Sequence, residues 1–304
     1  MQSVTHQNLN FFLSKQNTDL SFSHTIKSDK LGKKVVIIGT IHGNEPVGID
    51  AMINLINSIQ NKQTQLYSGE ITFVIGNPIA YLSNARFINK NLNREFKETQ
   101  HPINYEQYRA NEIIDFLKKY DPDFVLDLHS VSVGDEQMEI YDKDSKIPKK
   151  LINQSVLQII LDKNVIAGGL CQLSFLKSTM SMECGNHNSK YGLERALNKI
   201  ENVLDYYKII NKLSVQATLD NPIVNPIASK YQFIEAIKPK HGFRFTDPKI
   251  CSEYFLQKDQ VYCTYLDETN QTIQVKTNQD CYVLMPNLNP NLEDSDAGFL
   301  ATKL

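Results

Sequence analysis

Short apolar segments alternate with amphipathic helical segments from residue 34 to about residue 213, and this alternation constrains the fold more than any other feature. The stretch "KKVVIIGTIHG" (33–43) is a continuous apolar run bounded by Lys and Gly, which is typical of a strand covered on both faces. The following residues, 45–60, place their apolar side chains on one face of a helix, with Pro46 early, where helices tolerate it. The pattern predicts a three-layer α/β/α domain.

The remaining elements are predicted from the same periodicities. Further strands are expected at "ITFVIGNP" (71–78) and "FVLDLHS" (124–130). Further helices are expected at 104–120, 151–163 and 193–213.

The character of the sequence changes after residue 215. The segments "YQFIEAIKP", "GFRFT", "QVYCTYL", "TIQVKT" and "CYVLMP" are short, aromatic and β-branched, with polar turns between them. The sequence therefore predicts two domains, an α/β domain at 1–215 and a smaller all-β domain at 216–304. An apolar face of the second domain could pack within the chain or across a homo-oligomer.

Composition excludes several classes of protein. The 304 residues carry a net charge of -2 and no long basic run, which argues against a nucleic-acid partner. Five Cys without a C-x-x-C pair fit reduced thiols better than a disulfide framework. Neither a signal peptide nor an apolar stretch long enough for a membrane span is found. We therefore expect a cytoplasmic protein without a membrane partner.

Three residues at predicted strand ends form a possible metal site. His42 and Glu45 follow the first strand, and His129 ends a later one. Ligands of open α/β sheets bind at the carboxyl ends of the strands. Two imidazoles and a carboxylate, with a fourth position for water, are the usual donors of a catalytic zinc ion, one per chain. The alternatives are satisfied polar histidines, and a Glu45 that only favours a helix dipole.

Acidic and basic residues elsewhere could complete such a site. Glu183, in "STMSMECGNHNS", could act as general base and then general acid. Arg86 and Arg94 are two of only five Arg, and with Asn93 they favour recognition of an anion over a merely solvated loop. Asp127 could orient His129 or could cap a loop. His187 is interpreted as a loop residue.

Four segments together resemble the succinylglutamate desuccinylase/aspartoacylase family, which has a zinc-carboxypeptidase-like fold. They are "HGNEPVG", the loop ending in "NLNREF", "DLHS" and "MECG", in that order. The resemblance implies His42, Glu45 and His129 as zinc ligands and Glu183 as general base and acid. It also implies that Arg86 polarises the scissile carbonyl.

The same resemblance implies that Asn93 and Arg94 bind a carboxylate of the substrate. The expected activity is zinc-dependent hydrolysis of the amide bond in a small N-acyl amino acid. The alternatives are a metallocarboxypeptidase acting on short peptides and a non-catalytic module that binds small anions.

The chain departs from the family at three places. The usual "DLNR" reads "NLNR", with Asn91 in place of Asp. Position 173 is Leu, where aspartoacylases carry an Arg for the second carboxylate of N-acetylaspartate, and no Tyr lies near "DSDAGF". Lys177 could substitute for the Arg but lacks its planar fork. Losing that grip costs about 1.5–3 kcal/mol, so specificity for N-acetylaspartate is not expected.

Overall fold

The computed structural model describes residues 4–162, 169–210, 229–290 and 296–304. Within them the α-helices are α1 (Val4–Lys15), α2 (Val47–Gln60), α3 (Pro78–Leu82), α4 (Tyr105–Tyr120) and α5 (Gly192–Tyr206). The strands up to residue 186 are β1 (Ser23–Lys27), β2 (Lys34–Gly39), β3 (Glu70–Ile75), β4 (Phe124–Val131), β5 (Gln137–Asp142), β6 (Leu157–Leu161) and β7 (Thr179–Asn186). The later strands are β8 (Lys230–Ala236), β9 (Arg244–Phe245), β10 (Tyr254–Leu256), β11 (Val261–Leu266), β12 (Thr272–Lys276), β13 (Cys281–Leu284) and β14 (Phe299–Lys303).

Eleven of the described strands form one sheet, in the order β1-β3-β2-β4-β7-β5-β6-β8-β14-β13-β10. The neighbours β3, β2, β4 and β7 run parallel, so their carboxyl ends meet at one edge. Every residue of β4 is buried, as expected for a strand covered on both faces.

Helices cover both faces of this sheet, because alternate residues of β2 enter different cores. Val35 and Ile37 pack in the cluster that includes residues of α1, α2 and α5. Val36 and Ile38 pack on the opposite face with residues of α4. The predicted mixed α/β fold with three layers is confirmed.

The predicted helix at 151–163 is wrong. Lys149–Leu151 is a short 3-10 turn and Leu157–Leu161 is the strand β6. This strand pairs in parallel with β5 on one side and β8 on the other. A short apolar run has no periodicity that distinguishes a helix from an interior strand, and two neighbouring strands decide the outcome.

The C-terminal strands continue the large sheet and also form a second, small one. β8 pairs with β6, and β14, β13 and β10 follow it as antiparallel neighbours. β12, β11 and β9 form a separate antiparallel sheet of three strands. The predicted β-rich C-terminal part is thus present. The predicted boundary at residue 215 falls outside the described residues, since 211–228 are not among them, so the division into two domains stays a prediction.

No helix in the described ranges is both long and apolar enough to cross a membrane.

Candidate metal centre and active site

The ends of three neighbouring parallel strands bring the candidate residues together. His42 follows β2, His129 lies near the end of β4 and Glu183 lies on β7 directly opposite His129. These ends open into a cavity of about 130 Å³. The structure places all seven site residues proposed from the sequence around this one cavity: His42, Glu45, Arg86, Asn93, Arg94, His129 and Glu183.

The turn after β2 directs His42 into the cavity. Thr40 is buried and adopts a positive φ of 63°, a conformation uncommon for a β-branched residue. Gly43 packs so closely on the backbone of α3 that a Cβ would lie 2.1 Å from the carbonyl carbon of Ala80. Glycine is therefore required at this point of the motif "HGNE".

His42, Glu45 and His129 form a compact buried group. Oε1 of Glu45 lies 2.8 Å from Nδ1 of His42, and Oε2 lies 2.9 Å from Nδ1 of His129. One potential ligand atom from each residue lies within 4.8 Å of the others. A group of two imidazoles and one carboxylate at this spacing could hold a metal ion.

The outer nitrogens of both imidazoles face oxygen acceptors, which fixes their tautomers. The Asn91 Oδ1 atom accepts from the backbone N–H of Asn93 at 2.9 Å, so Nε2 of His42, 3.1 Å away, must donate to it. Nε2 of His129 donates to Oδ2 of Asp127 at 2.6 Å. Both Nδ1 atoms are left to face Glu45, as required for ligation of a cation by neutral imidazoles.

Asp127 thus contacts His129 rather than capping a loop. Its Oδ2 atom also accepts a hydrogen bond from Ser181 at 3.1 Å.

The charges of this group are strongly coupled. Burial, and then the nearby Arg86 guanidinium, lower the pKa of His42 to about 4. For His129, burial acts in the opposite direction, but the carboxylates of Asp127 and Glu45 raise its pKa well above the ordinary value. A cation at the Nδ1 atoms would compete with that additional proton, as expected for a metal site.

Glu183 has the properties expected of a proton-transfer group. It is buried, and its Oε2 atom has no hydrogen-bond partner in the described part of the chain. Burial raises its pKa to about 8, with His129 acting in the opposite direction. A buried, unpartnered carboxyl oxygen beside three potential ligands is most easily explained by a partner such as a water molecule on a cation.

Arg86 contacts the buried group of His42, Glu45 and His129 from a loop. The contacts that hold this loop in place were not predicted from the sequence. Its Nη1 atom donates to Oε1 of Glu45 at 3.0 Å. The loop is held by the buried carboxylate of Glu106 on α4, which accepts from the backbone N–H groups of Ile88, Asn89 and Lys90 at 2.7–3.2 Å. No local signal marks Glu106, because its partners lie 16–18 residues away.

Asn93 and Arg94 lie farther along the cavity and already have protein partners. Asn93 Oδ1 accepts from the backbone N–H of Leu170 at 3.1 Å. Arg94 donates through Nη2 to Oδ2 of Asp296 at 2.5 Å and through Nη1 to the backbone carbonyl of Asn93. Asp296, in the C-terminal segment, was not predicted as a site residue.

Two other candidates lie apart from the cavity lining. The Nδ1 atom of His187 lies 2.8 Å from the hydroxyl of Ser130. Lys177 is half exposed and pairs with Asp121, which follows α4 and precedes β4 at the opposite edge of the sheet. The expectation that Lys177 could substitute for the missing Arg is therefore wrong, because its ammonium is held away from the carboxyl ends of the strands.

Sequence comparison gives the same family as the four motifs. Residues 31–160 match the model of the succinylglutamate desuccinylase/aspartoacylase catalytic domain. A probable aspartoacylase of Prochlorococcus marinus subsp. pastoris is 36% identical over 109 residues, 34% of this chain and 35% of that protein. A succinylglutamate desuccinylase of Shewanella woodyi is 31% identical over 93 residues, 29% of this chain and 27% of that protein. The matches thus span about a third of the curated relatives' length.

Solved structures show that the fold extends over nearly the whole chain. The succinylglutamate desuccinylase of Chromobacterium violaceum superposes with a TM-score of 0.69 at 16% identity, over 98% of this chain and 97% of that one. Murine aminoacylase 3 gives a TM-score of 0.65 at 17% identity, over 91% and 97%. The resemblance is therefore confirmed: residues 31–160 match the succinylglutamate desuccinylase/aspartoacylase catalytic domain in sequence, and the chain has the fold of structures that bear the family's name.

Proposed function

We propose that the protein is a zinc-dependent hydrolase of the amide bond in small N-acyl amino acids. The observation that carries this proposal is the buried group of His42, Glu45 and His129, with the unpartnered carboxyl oxygen of Glu183 in the same cavity. The donor set fits zinc, and both imidazoles present Nδ1 to the centre of the group. A zinc ion held there would polarise the amide carbonyl and lower the pKa of a water molecule.

The protein's own groups would perform the proton transfers. Glu183 would take a proton from the attacking water and later give it to the departing nitrogen, so that the amide yields a carboxylate and an amine. Arg86, whose guanidinium contacts Glu45, would stabilise the negative charge that develops on the carbonyl oxygen. Arg94 and Asn93 would bind the substrate's free carboxylate at the other end of the cavity.

The walls of the cavity support a small substrate. Residues of the C-terminal strands and loops, among them Phe233, Met285 and Phe299, form one of its walls. A cavity walled on this side by the C-terminal part of the chain suits an N-acyl amino acid better than a longer peptide, which disfavours a metallocarboxypeptidase.

Metal content and turnover test the proposal together. We expect about one zinc per chain in the purified protein by elemental analysis. His129→Ala should lose that zinc. A panel of N-acyl amino acids should be hydrolysed by the zinc-loaded wild type, with a short peptide as the comparison. Zinc without turnover of any amide would indicate an anion-binding module instead. A preference for the peptide would indicate a carboxypeptidase.

A further inference from the structure

Part of the cavity lining is apolar. This wall is formed by side chains from β5, β6, β8 and β14 and from the segment after β13: Ile140, Leu161, Phe233, Phe299 and Met285. The rings of Phe233 and Phe299 are stacked, with centroids 4.3 Å apart. A charged group placed against this wall would lose its hydration without gaining a partner.

A cluster of three charges lies beside that apolar wall. The carboxylate of Asp296 binds Arg94 through Oδ2 and Lys238 through Oδ1, both at 2.5 Å. Its side chain is only 5% exposed. Burial opposes ionisation, but Arg94 and Lys238 lower the pKa of Asp296 below its ordinary value. The cluster of Arg94, Asp296 and Lys238 therefore carries two positive charges and one negative charge.

A net charge of +1 balances one carboxylate of a substrate. A second carboxylate would meet the ionised Asp296 or the apolar wall, and both are unfavourable. Among the described residues that line the cavity, the only other Arg or Lys is Arg86, which contacts Glu45 and is assigned above to the carbonyl oxygen of the substrate.

We propose that the substrate is an N-acyl amino acid with a single carboxylate and an otherwise apolar body, and that Asp296 is the residue that discriminates against dicarboxylates. This inference rests on the proposed function, because it assigns the substrate class of the same site. The proposed site differs from one that binds N-acetylaspartate or succinylglutamate, because each of those compounds has at least two carboxylates.

Pairs of ligands with nearly the same shape, of which only one carries a second carboxylate, isolate the effect of that charge on binding. N-acetyl-L-leucine and N-acetyl-L-aspartate have side chains of nearly the same shape, with two methyl groups in one and two carboxylate oxygens in the other. N-isocaproylglycine and N-succinylglycine differ in the same way at the acyl end. Binding of all four to Glu183→Gln is measured by isothermal titration calorimetry, with and without zinc, so that neither turnover nor the metal decides the comparison.

We expect the apolar member of at least one pair to bind about tenfold more tightly or better, and neither dicarboxylate to be preferred. The second measurement introduces Asp296→Asn into the same chain. Loss of the negative charge should shift the affinity ratio toward the dicarboxylate about tenfold. Asp123→Asn is the matched control, because it removes a carboxylate paired with Lys33 at the far edge of the sheet, and it should leave the ratio unchanged.

The outcomes separate this inference from the proposed function. Preference for a dicarboxylate, equal affinity in both pairs, no binding at all, or an unchanged ratio in Asp296→Asn would each overturn the inference. Hydrolysis by the wild type is assayed in parallel on the same four compounds. Absence of turnover with the apolar preference intact would overturn the proposed hydrolase while leaving the specificity of the site established.

Discussion

The Oδ1 atom of Asn91 lies 3.1 Å from Nε2 of His42, on the side of the imidazole opposite Glu45. This residue occupies the position of the Asp in the family's "DLNR" motif. A neutral amide oxygen in place of a carboxylate still fixes the tautomer of His42 but makes the imidazole less basic. We therefore expect His42 to be a weaker zinc ligand than it would be with Asp at position 91.

Replacing Asn91 tests this relationship through zinc affinity. Asn91→Asp keeps an acceptor for both His42 and the backbone N–H of Asn93 and adds a negative charge, so zinc should bind about tenfold more tightly. Asn91→Ala removes the acceptor and should weaken zinc binding about 10- to 100-fold. Competition with a chromophoric chelator at fixed pH measures both. Unchanged affinity in both variants would show that Asn91 does not act on the metal site.

Glu183→Gln tests the proton-transfer role. The substitution preserves the shape of the side chain and lies outside the three-residue ligand group, so zinc content should equal that of the wild type. The kcat for an N-acyl amino acid should fall by about two to four orders of magnitude, because the amide cannot accept a proton. Glu98→Gln, on an exposed side chain, serves as the control and should retain full activity. Substantial turnover in Glu183→Gln would assign general-base catalysis to another group.

Glu106→Gln tests the support of the Arg86 loop. Both oxygens of the Glu106 carboxylate accept from backbone N–H groups. The amide of Gln has only one oxygen, so its NH₂ group would face at least one N–H group that loses its acceptor. We expect a loss of about 1.5–3 kcal/mol in the free energy of unfolding, measured in urea. Displacement of Arg86 should also lower kcat/KM by about tenfold or more.

Asp115→Asn is the control for Glu106, since Asp115 lies on the same helix with an exposed side chain. Its stability should change by no more than about 0.5 kcal/mol. If both variants behave alike, the buried contacts of Glu106 contribute little.

The contacts of Asp123 predict how the free energy of unfolding depends on pH. Burial acts in the opposite direction, but the backbone N–H of Lys34 and the ammonium of Lys33 lower the pKa of Asp123 below its ordinary value. A carboxylate with a lowered pKa in the folded state stabilises the protein above its unfolded pKa. That contribution is lost as the pH falls through the folded pKa.

Asp123→Asn should therefore be less stable than the wild type by about 1 kcal/mol from neutral pH down to about pH 5. The difference should shrink below about pH 4. Urea unfolding of both chains at several pH values measures it. A difference that grows on acidification would contradict the assignment.

The candidate site could be predicted because its residues follow strong local signals. His42 and His129 come at the ends of apolar strands, and parallel strands end at a common edge whatever their order in the chain. Glu183 lies on β7, the parallel neighbour of β4, so the pairing of these two strands brings it beside His129. The four motifs, in their order along the chain, indicated the family.

Other features could not be predicted from local patterns. Residues 157–161 form a strand because β5 and β8 provide hydrogen-bonding partners on both sides, which the apolar run itself does not reveal. The helix α1 was not predicted from the sequence. The contacts of Glu106 and Asp296 cross 16 and 202 residues of chain, and neither has a sequence signature.

The sequence by itself determined the α/β class, the β-rich C-terminal part and the positions of the candidate zinc ligands, because periodicity and residue type act over a few neighbouring residues. Only the tertiary structure decided how the cavity is closed and charged. The pairing of β8 with β6 brings Phe233 into its wall, and the packing of the C-terminal segment places Asp296 against Arg94. Such contacts depend on the free energy of packing distant segments, which no local pattern in the chain encodes.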